Sequence, residues 1–322
     1  MRPIDTLRVS ITDRCNLRCI YCMPPEGVKL IAHDEILTFE EIERMARAAV
    51  RAGVRKVRIT GGEPLVRKGV TELVKRLSRI REIYDLPMTT NGVLLAGMAR
   101  ELKSAGLSRV TVSLDTLRPE RFEKIAGRPE LPRVLEGIGA AIDAGLLPLK
   151  VNVVLVPGRN DDEVLDFLGL ARRLDLEVRF IERMPMGHRQ GCGMSDDGYV
   201  ATAKIRAEIE AAVGPLEPLP PAPGASTRPA KVFGLPGGRG RIGFISPLTE
   251  PFCRHCSRMR LTPGGRLRAC LAQELELDVK GPMRAGIDDE GLSALFVQAV
   301  DMKPVQDAAC FASERLMSQI GG

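Results

Sequence analysis

The sequence contains no tryptophan, and aromatic residues make up only 4% of its 322 positions. The base-stacking platforms used by single-strand nucleic-acid binders are therefore scarce. No apolar stretch reaches membrane-spanning length without a charge or a proline, so no bilayer-crossing helix is expected. A long basic run is missing too, although the formal net charge is +6. That excess reads as serving a phosphorylated small molecule rather than nucleic acid or acidic lipid. The opening residues MRPIDTLRVS run straight into a strand pattern instead of a signal-peptide core, and the expected location is the cytoplasm.

Cysteine, by contrast, is plentiful: there are eight, six of them in two tight groups. In a reducing compartment such thiols hold metal or do redox chemistry more readily than they form bridges. Cys192 and Cys310 stand apart and look incidental. With 44% hydrophobic residues, the chain can build one large α/β domain and a smaller appendage without disulfides.

From residue 6 to about 184, short β-branched runs alternate with amphipathic helical patterns, the signature of βα units around a parallel sheet. The runs are TLRVSIT, KVRIT, LPMTT, RVTVSLD, LKVNVVLV and LEVRFIE. Thr38 with Glu41 predicts a capping box opening a helix that closes at Gly53, its apolar face being Ile42, Met45, Ala46, Ala49 and Val50. Asn160 with Glu163 predicts another. Six units are too few for a closed eight-stranded barrel, so the expected α/β fold over residues 1–214 is an incomplete, three-quarter (β/α)6 TIM-type barrel, with a wound open sheet as the alternative. Beyond a helix near 201–213 and the linker GPLEPLPPAPGASTRPA, two hairpins with Gly-Gly turns predict a small C-terminal α+β domain over residues 215–322.

Open α/β folds place ligands at strand C-terminal ends. Here those ends carry the Cys15 loop, Gly61-Gly62-Glu63-Pro64, Thr89-Thr90-Asn91-Gly92, Ser113-Leu114-Asp115, Lys150 with Asn152, and Arg179, Glu182 and Met184. Jointly they outline one pocket.

Cys15, Cys19 and Cys22 have the spacing of a buried helix face, but Pro24, Pro25, Asn16 and Arg18 argue for a loop. Three thiolates hold three corners of a four-iron cluster and leave the fourth iron open to a ligand that is not protein. Cys253, Cys256 and Cys270 admit two readings. One is a structural zinc site completed by His255, whose reach from between two close cysteines is awkward. The other is a second open cluster beside Arg258 and Arg260, guanidiniums suited to phosphate oxygens.

The Cys-x3-Cys-x2-Cys loop followed by GGEP at a strand end resembles the radical S-adenosylmethionine superfamily. TDRCNLRCIYCMP, RITGGEP, TTNG, SLDTL, RFIERMP, CSRMRLTPGGRLRACL and the terminal glycines resemble, over nearly the whole chain, the family in it that cyclises GTP for molybdenum cofactor biosynthesis. The resemblance implies a lyase with two [4Fe–4S] clusters, one on Cys15, Cys19 and Cys22, the other on Cys253, Cys256 and Cys270. It implies S-adenosylmethionine contacts at Tyr21, Gly62, Ser113 and Met184, with Glu63 alongside, and GTP contacts at Arg8, Arg58, Thr89, Lys150, Arg258 and Arg260. The implied product is (8S)-3′,8-cyclo-7,8-dihydroguanosine 5′-triphosphate. Implied partners are a flavodoxin- or ferredoxin-type reductant and a downstream cyclic pyranopterin monophosphate synthase, with no nucleic acid or membrane, the chain being a monomer or homodimer. Gly321 and Gly322, which could be a frayed end, are expected to thread into the barrel as a functional tail where any Cβ would clash.

Two stretches depart from the family pattern: GHRQGCGMSDDGY is poor in aromatics, and no histidine follows Lys303-Pro304. Both touch loops. The rival readings are another two-cluster radical enzyme, for instance one oxidising a peptide side chain, and a non-enzymatic metal-binding, RNA-binding protein supported only by charge.

Overall fold

The computed structural model describes residues 3–24, 26–185, 198–220, 229–304 and 315–321. Cys192, Cys310, Gly322, most of the aromatic-poor stretch and the segment after Pro304 lie outside the described residues.

The six expected strands form: β1 Thr6–Ser10, β2 Lys56–Thr60, β3 Met88–Thr90, β4 Val110–Ser113, β5 Lys150–Leu155 and β6 Glu177–Glu182. Between them run α1 Phe39–Arg51, α2 Val70–Ser78, α3 Ala99–Ser104, α4 Pro119–Ala126, α5 Leu131–Asp143 and α6 Val164–Leu174, with α7 Thr202–Val213 after β6. The C-terminal segment adds β7 Glu217–Pro218, β8 Lys231–Gly234, β9 Arg241–Ile245, β10 Arg258–Leu261, β11 Arg266–Arg268 and β12 Glu276–Asp278, then α8 Lys280–Arg284, α9 Asp289–Asp301 and α10 Met317–Ile320.

Thr38 and Glu41 close the expected capping box at the start of α1, whose residues Ile42, Met45, Ala46, Ala49 and Val50 are buried. The second box does not form. Helix α6 starts at Val164, and Asn160 instead spends its side chain on Asp115 O, Val154 O and Val156 N. Glu163 caps a different loop, accepting from Thr116 Oγ1 at 2.6 Å and Leu117 N at 2.8 Å. Backbone groups at and beyond the ends of β4 and β5, Asp115 O and Val156 N among them buried, needed partners, and that need outweighed the local cap.

The twelve described strands make one sheet in the order β12-β11-β10-β1-β2-β3-β4-β5-β6-β9-β8-β7. The strands of 215–322 do not form a sheet of their own. Strand β10 adds parallel to β1 and β9 adds parallel to β6, so two parallel strands extend the six-unit barrel wall, and antiparallel hairpins finish both ends.

Parallel strands buried on both faces usually read as continuous apolar runs. These alternate. Leu7, Val9, Val57, Ile59, Val110, Val112, Val151, Val153, Val178, Phe180, Met259 and Leu261 are fully buried, while the intervening Thr6, Arg8, Lys56, Arg58, Thr111, Ser113, Lys150, Asn152, Arg179, Arg258 and Arg260 line a central cavity. The period of two separates an apolar jacket from a polar interior.

Candidate functional site

The cavity holds about 800 Å3 and is lined from nearly every parallel strand. Six free cysteines stand on its walls in two groups of three.

The first wall is the Cys15 loop pressed against the end of β2. Gly62 N donates to Thr12 O at 2.7 Å and Glu63 N to Arg14 O at 2.8 Å. A Cβ at Gly62 would lie 2.5 Å from Arg14 O, so glycine is required by backbone contact. Glu63 is buried and accepts from Thr90 Oγ1 at 2.7 Å, Asn91 N at 2.6 Å and Leu65 N at 3.0 Å. Burial pushes its carboxyl up to about 7 against those donors. Asn91 reaches Asn16 Oδ1 at 2.7 Å and Cys15 Sγ at 3.8 Å, joining the third strand end to the loop. On the far side Tyr21 Oη donates to Asp115 Oδ2 at 2.5 Å, and Asp115 Oδ1 accepts from Val154 N at 2.8 Å. Burial raises Asp115 to about 6, and it also raises the Cys15 and Cys19 thiols, with Asp115 adding to the effect on Cys19. Ser113 and Met184 complete this end.

The second wall comes from the connection between β9 and β10 and from the segment after β11. Cys253, Cys256 and Cys270 line the cavity; His255 does not. Burial opposes ionisation of Cys256, yet Arg258 and Lys303 outweigh it and bring the thiol down to about 6. Lys303 Nζ donates to Arg258 O at 2.7 Å and Ala269 O at 2.6 Å, tying the start of β10 to the neighbour of Cys270. The Arg258 guanidinium stacks 4.9 Å over the Phe252 ring.

Three free thiols in each set match the donor count of a four-iron cluster whose remaining iron is left to a non-protein ligand. The first set comes from one loop and the second from two segments joined by the β10–β11 hairpin, and all six thiols line the cavity.

Between the walls lies a field of cations. Nine basic side chains line the cavity against three acidic ones, Glu63, Asp85 and Glu182. Arg260, Arg8 and Arg58 face one another in a single register row across β10, β1 and β2. Burial and mutual repulsion hold Arg8 well below the usual guanidinium range, and burial with neighbouring arginines brings Arg58 and Arg260 to about 9. Arg58 Nη1 donates to Thr89 Oγ1 and Thr111 Oγ1, each at 3.2 Å. Like charges opposed on adjacent strands destabilise a sheet, so the row is arranged for a polyanion.

The tail enters this field. Gly321 is buried, its carbonyl accepts from Arg260 Nη1, and its φ of 79° lies in the left-handed region. A Cβ there would come 2.5 Å from Thr60 Oγ1 and 2.7 Å from Ser10 Cβ. Met317 of the same segment lines the cavity. Every described residue in the expected set faces the cavity except Gly321, which plugs in beside it. Sequence reasoning placed Arg179 and Asp115 at strand ends without giving them roles, and missed Arg109, held bidentately by Asp85, and Lys303. The period-two parity of β6 was available for Arg179; nothing local marks Lys303.

Along its whole length the chain is similar to the GTP 3′,8-cyclase of Moorella thermoacetica, 48% identical over all of this chain and 98% of that one. The chain belongs to the GTP 3′,8-cyclase family. The Pelotomaculum thermopropionicum member is 47% identical with the same coverage. The Radical SAM superfamily matches residues 9–171 and the Molybdenum Cofactor Synthesis C family residues 176–308. Among solved structures, Streptococcus suis SuiB bound to its precursor peptide SuiA aligns with TM-score 0.64 at 14% identity, covering 94% of this chain and 66% of that one. SuiB bound to S-adenosylmethionine gives 0.61 at 15%, covering 86% and 63%; both likenesses are of fold. As a GTP 3′,8-cyclase family member the chain is a radical S-adenosylmethionine lyase, its cofactors are two [4Fe–4S] clusters and S-adenosylmethionine, and the RNA-binding and zinc readings fall away.

Proposed function

We propose that this chain converts GTP to (8S)-3′,8-cyclo-7,8-dihydroguanosine 5′-triphosphate inside the central cavity. The carrying observation is the row Arg260–Arg8–Arg58 set between two triads of thiols. In this reading Cys15, Cys19 and Cys22 would hold the first cluster and Cys253, Cys256 and Cys270 the second, with the guanine bound on that side of the cavity. A cluster held by Cys15, Cys19 and Cys22 would supply, with S-adenosylmethionine, the one-electron chemistry needed to remove hydrogen from ribose C3′.

The protein's own residues orient and enclose. Gly62 lets the β2 end approach the Cys15 loop, where Tyr21, Ser113 and Met184 line the S-adenosylmethionine end and Glu63 fixes the adjoining strand ends. Arg8, Arg58, Lys150, Arg258 and Arg260 bind the triphosphate, and Thr89 orients Arg58. Phosphate oxygens would relieve their mutual repulsion, so the cost of crowding is recovered as affinity. Gly321, with Gly322 beyond the described residues, positions the reacting groups. The split at 214/215 then has a functional meaning: residues 1–214 start the radical, and residues 215–322 hold the base.

No helix of the described residues is long and apolar enough to cross a membrane, consistent with a cytoplasmic enzyme. It would draw electrons from a flavodoxin- or ferredoxin-type donor and pass product to a cyclic pyranopterin monophosphate synthase, as a monomer or homodimer. The test is reconstituted enzyme with GTP deuterated at C3′: deuterium should appear in 5′-deoxyadenosine alongside a cyclised nucleotide. Deuterium transferred from another ribose carbon, or equal turnover of ATP, would overturn the reading.

A further inference from the structure

The cations of the cavity differ in what stands behind them. Lys150 and Arg179 share one carboxylate. Glu177 Oε2 lies 3.1 Å and Oε1 3.3 Å from Lys150 Nζ, and Oε1 also accepts from Arg179 Nε. Lys150 and Glu177 sit opposite each other on β5 and β6, and Arg179 follows two positions on, so all three point inward. None is more than 9% exposed. Lys150 and Arg179 line the cavity, whereas Glu177 lies behind them. Arg179 has a prepared place: its strand neighbour on β9 is Gly243, where a Cβ would meet Arg179 Cγ at 3.1 Å.

A buried cluster of two cations and one anion is weak support for a fold, because desolvation cancels much of its attraction. Its placement on the wall of a cavity built for a polyanion gives it another use. We propose that Glu177 is a positioning residue for the phosphate end of the substrate site, its carboxylate holding Lys150 and Arg179 side by side toward the cavity and balancing their charge until the triphosphate arrives. The inference rests on the reading of Lys150 as a phosphate contact.

The groups around Lys150 set the sign of the test. Glu177 and Arg179 face it from β6, Arg109 with its partner Asp85 from the β4 side, and Arg58 on β2 lies within the field of Arg179 and Arg109. Burial, then Arg179, lowers Lys150 to about 7 while Glu177 holds it up. Burial alone would raise Glu177, but Arg179 and Lys150 keep it at about 2, so it is ionised throughout the working range. Without the carboxylate Lys150 must fall further and become neutral near pH 7, and a neutral amine no longer attracts phosphate.

GTP dissociation constants of reconstituted enzyme, measured by calorimetry without S-adenosylmethionine between pH 6 and 8, test this. For a fall of one unit at Lys150, Glu177→Gln loses about twofold in affinity at pH 6 and about tenfold at pH 8 relative to unsubstituted enzyme. Taking the ratio at each pH cancels the nucleotide's own titration. Glu177→Asp, which keeps the charge, restores the wild-type pH profile. A loss equal at all pH values marks a merely structural residue and overturns the inference, as does unchanged or tighter binding. Lys150→Met, measured in parallel, separates the layers. If it binds GTP as tightly as unsubstituted enzyme, the phosphate-site reading falls and takes this inference with it. If it binds weakly while Glu177→Gln shows no pH-dependent loss, the inference alone falls.

Discussion

The two thiol triads face each other across one cavity but are built by opposite means. The first is a loop positioned by backbone contact: Gly62 admits Arg14 O, Asn91 bridges to Asn16, and burial, with Glu63 and Asp115 adding to it, raises the Cys15 and Cys19 thiols. The second is framed by cations, with Arg258 and Lys303 drawing Cys256 down to about 6. The same three-thiol pattern therefore serves two settings. A buried wall carrying Glu63 and Asp115 disfavours extra negative charge on the first triad, while a wall carrying Arg258 and Lys303 favours it on the second.

The sharpest way to break this comparison is to remove one thiol from each wall. Cys19→Ser should abolish cleavage of S-adenosylmethionine, whereas Cys256→Ser should retain uncoupled cleavage and lose cyclisation, both read as 5′-deoxyadenosine and nucleotide product by chromatography. Equal loss of cleavage in two folded variants would erase the division of labour. Next in size is the tail: deleting Gly321 and Gly322 should keep both clusters and most GTP binding yet slow hydrogen abstraction about 100-fold, as expected when reacting groups are misplaced by an ångström. Wild-type rates in that variant would return the tail to the class of frayed ends.

Steric dependence on glycine should also differ between the first wall and a turn away from the cavity. Gly62→Ala forces its new methyl into Arg14 O and should destabilise the protein by about 2 kcal/mol in denaturant titration, with loss of iron at the first triad. In the β10–β11 turn, a Cβ at Gly264 meets only Ile31 Cδ1 at an ordinary 3.7 Å, and Gly264→Ala should stay within about 0.5 kcal/mol. A modest effect confined to one substrate is expected at Tyr21→Phe. It strips Asp115 Oδ2 of its donor and should raise the KM for S-adenosylmethionine roughly fivefold, about 1 kcal/mol, leaving GTP affinity untouched.

Much of this was legible in the sequence because local chemistry carried it. The six runs became the six strands, Thr38 and Glu41 capped α1, and the strand ends converged on one cavity. The alternation of Arg8 with Leu7 and Val9 already encoded a barrel whose interior is polar. What escaped depended on distant partners. Asn160 and Glu163 have the spacing of a cap but answer to backbone groups at Asp115 and Leu117 and to the Thr116 hydroxyl. Hairpin signals identified β8–β9 and β10–β11, yet no local pattern says that each hairpin joins an opposite edge of the barrel sheet. Lys303 is a single lysine in sequence and becomes part of the second wall only because its amine reaches Arg258 and Ala269.

The pairing of β10 with β1 also dictates an order of assembly. Strand β1 emerges first during synthesis, but one of its two neighbours is made nearly last: Ser257 Oγ meets Asp5 Oδ1 across 252 positions of chain. Contacts of such separation form late, after shorter loops have closed. Until then the nascent barrel keeps an open edge of unpaired backbone groups, exposed to mispairing with other chains. The same late strand brings Arg258 and Arg260 with it, and the second thiol triad flanks it at Cys256 and Cys270. The cation row and the second wall thus mature in one step with edge closure, so a half-made chain carrying the first triad has no finished chamber in which to generate a radical.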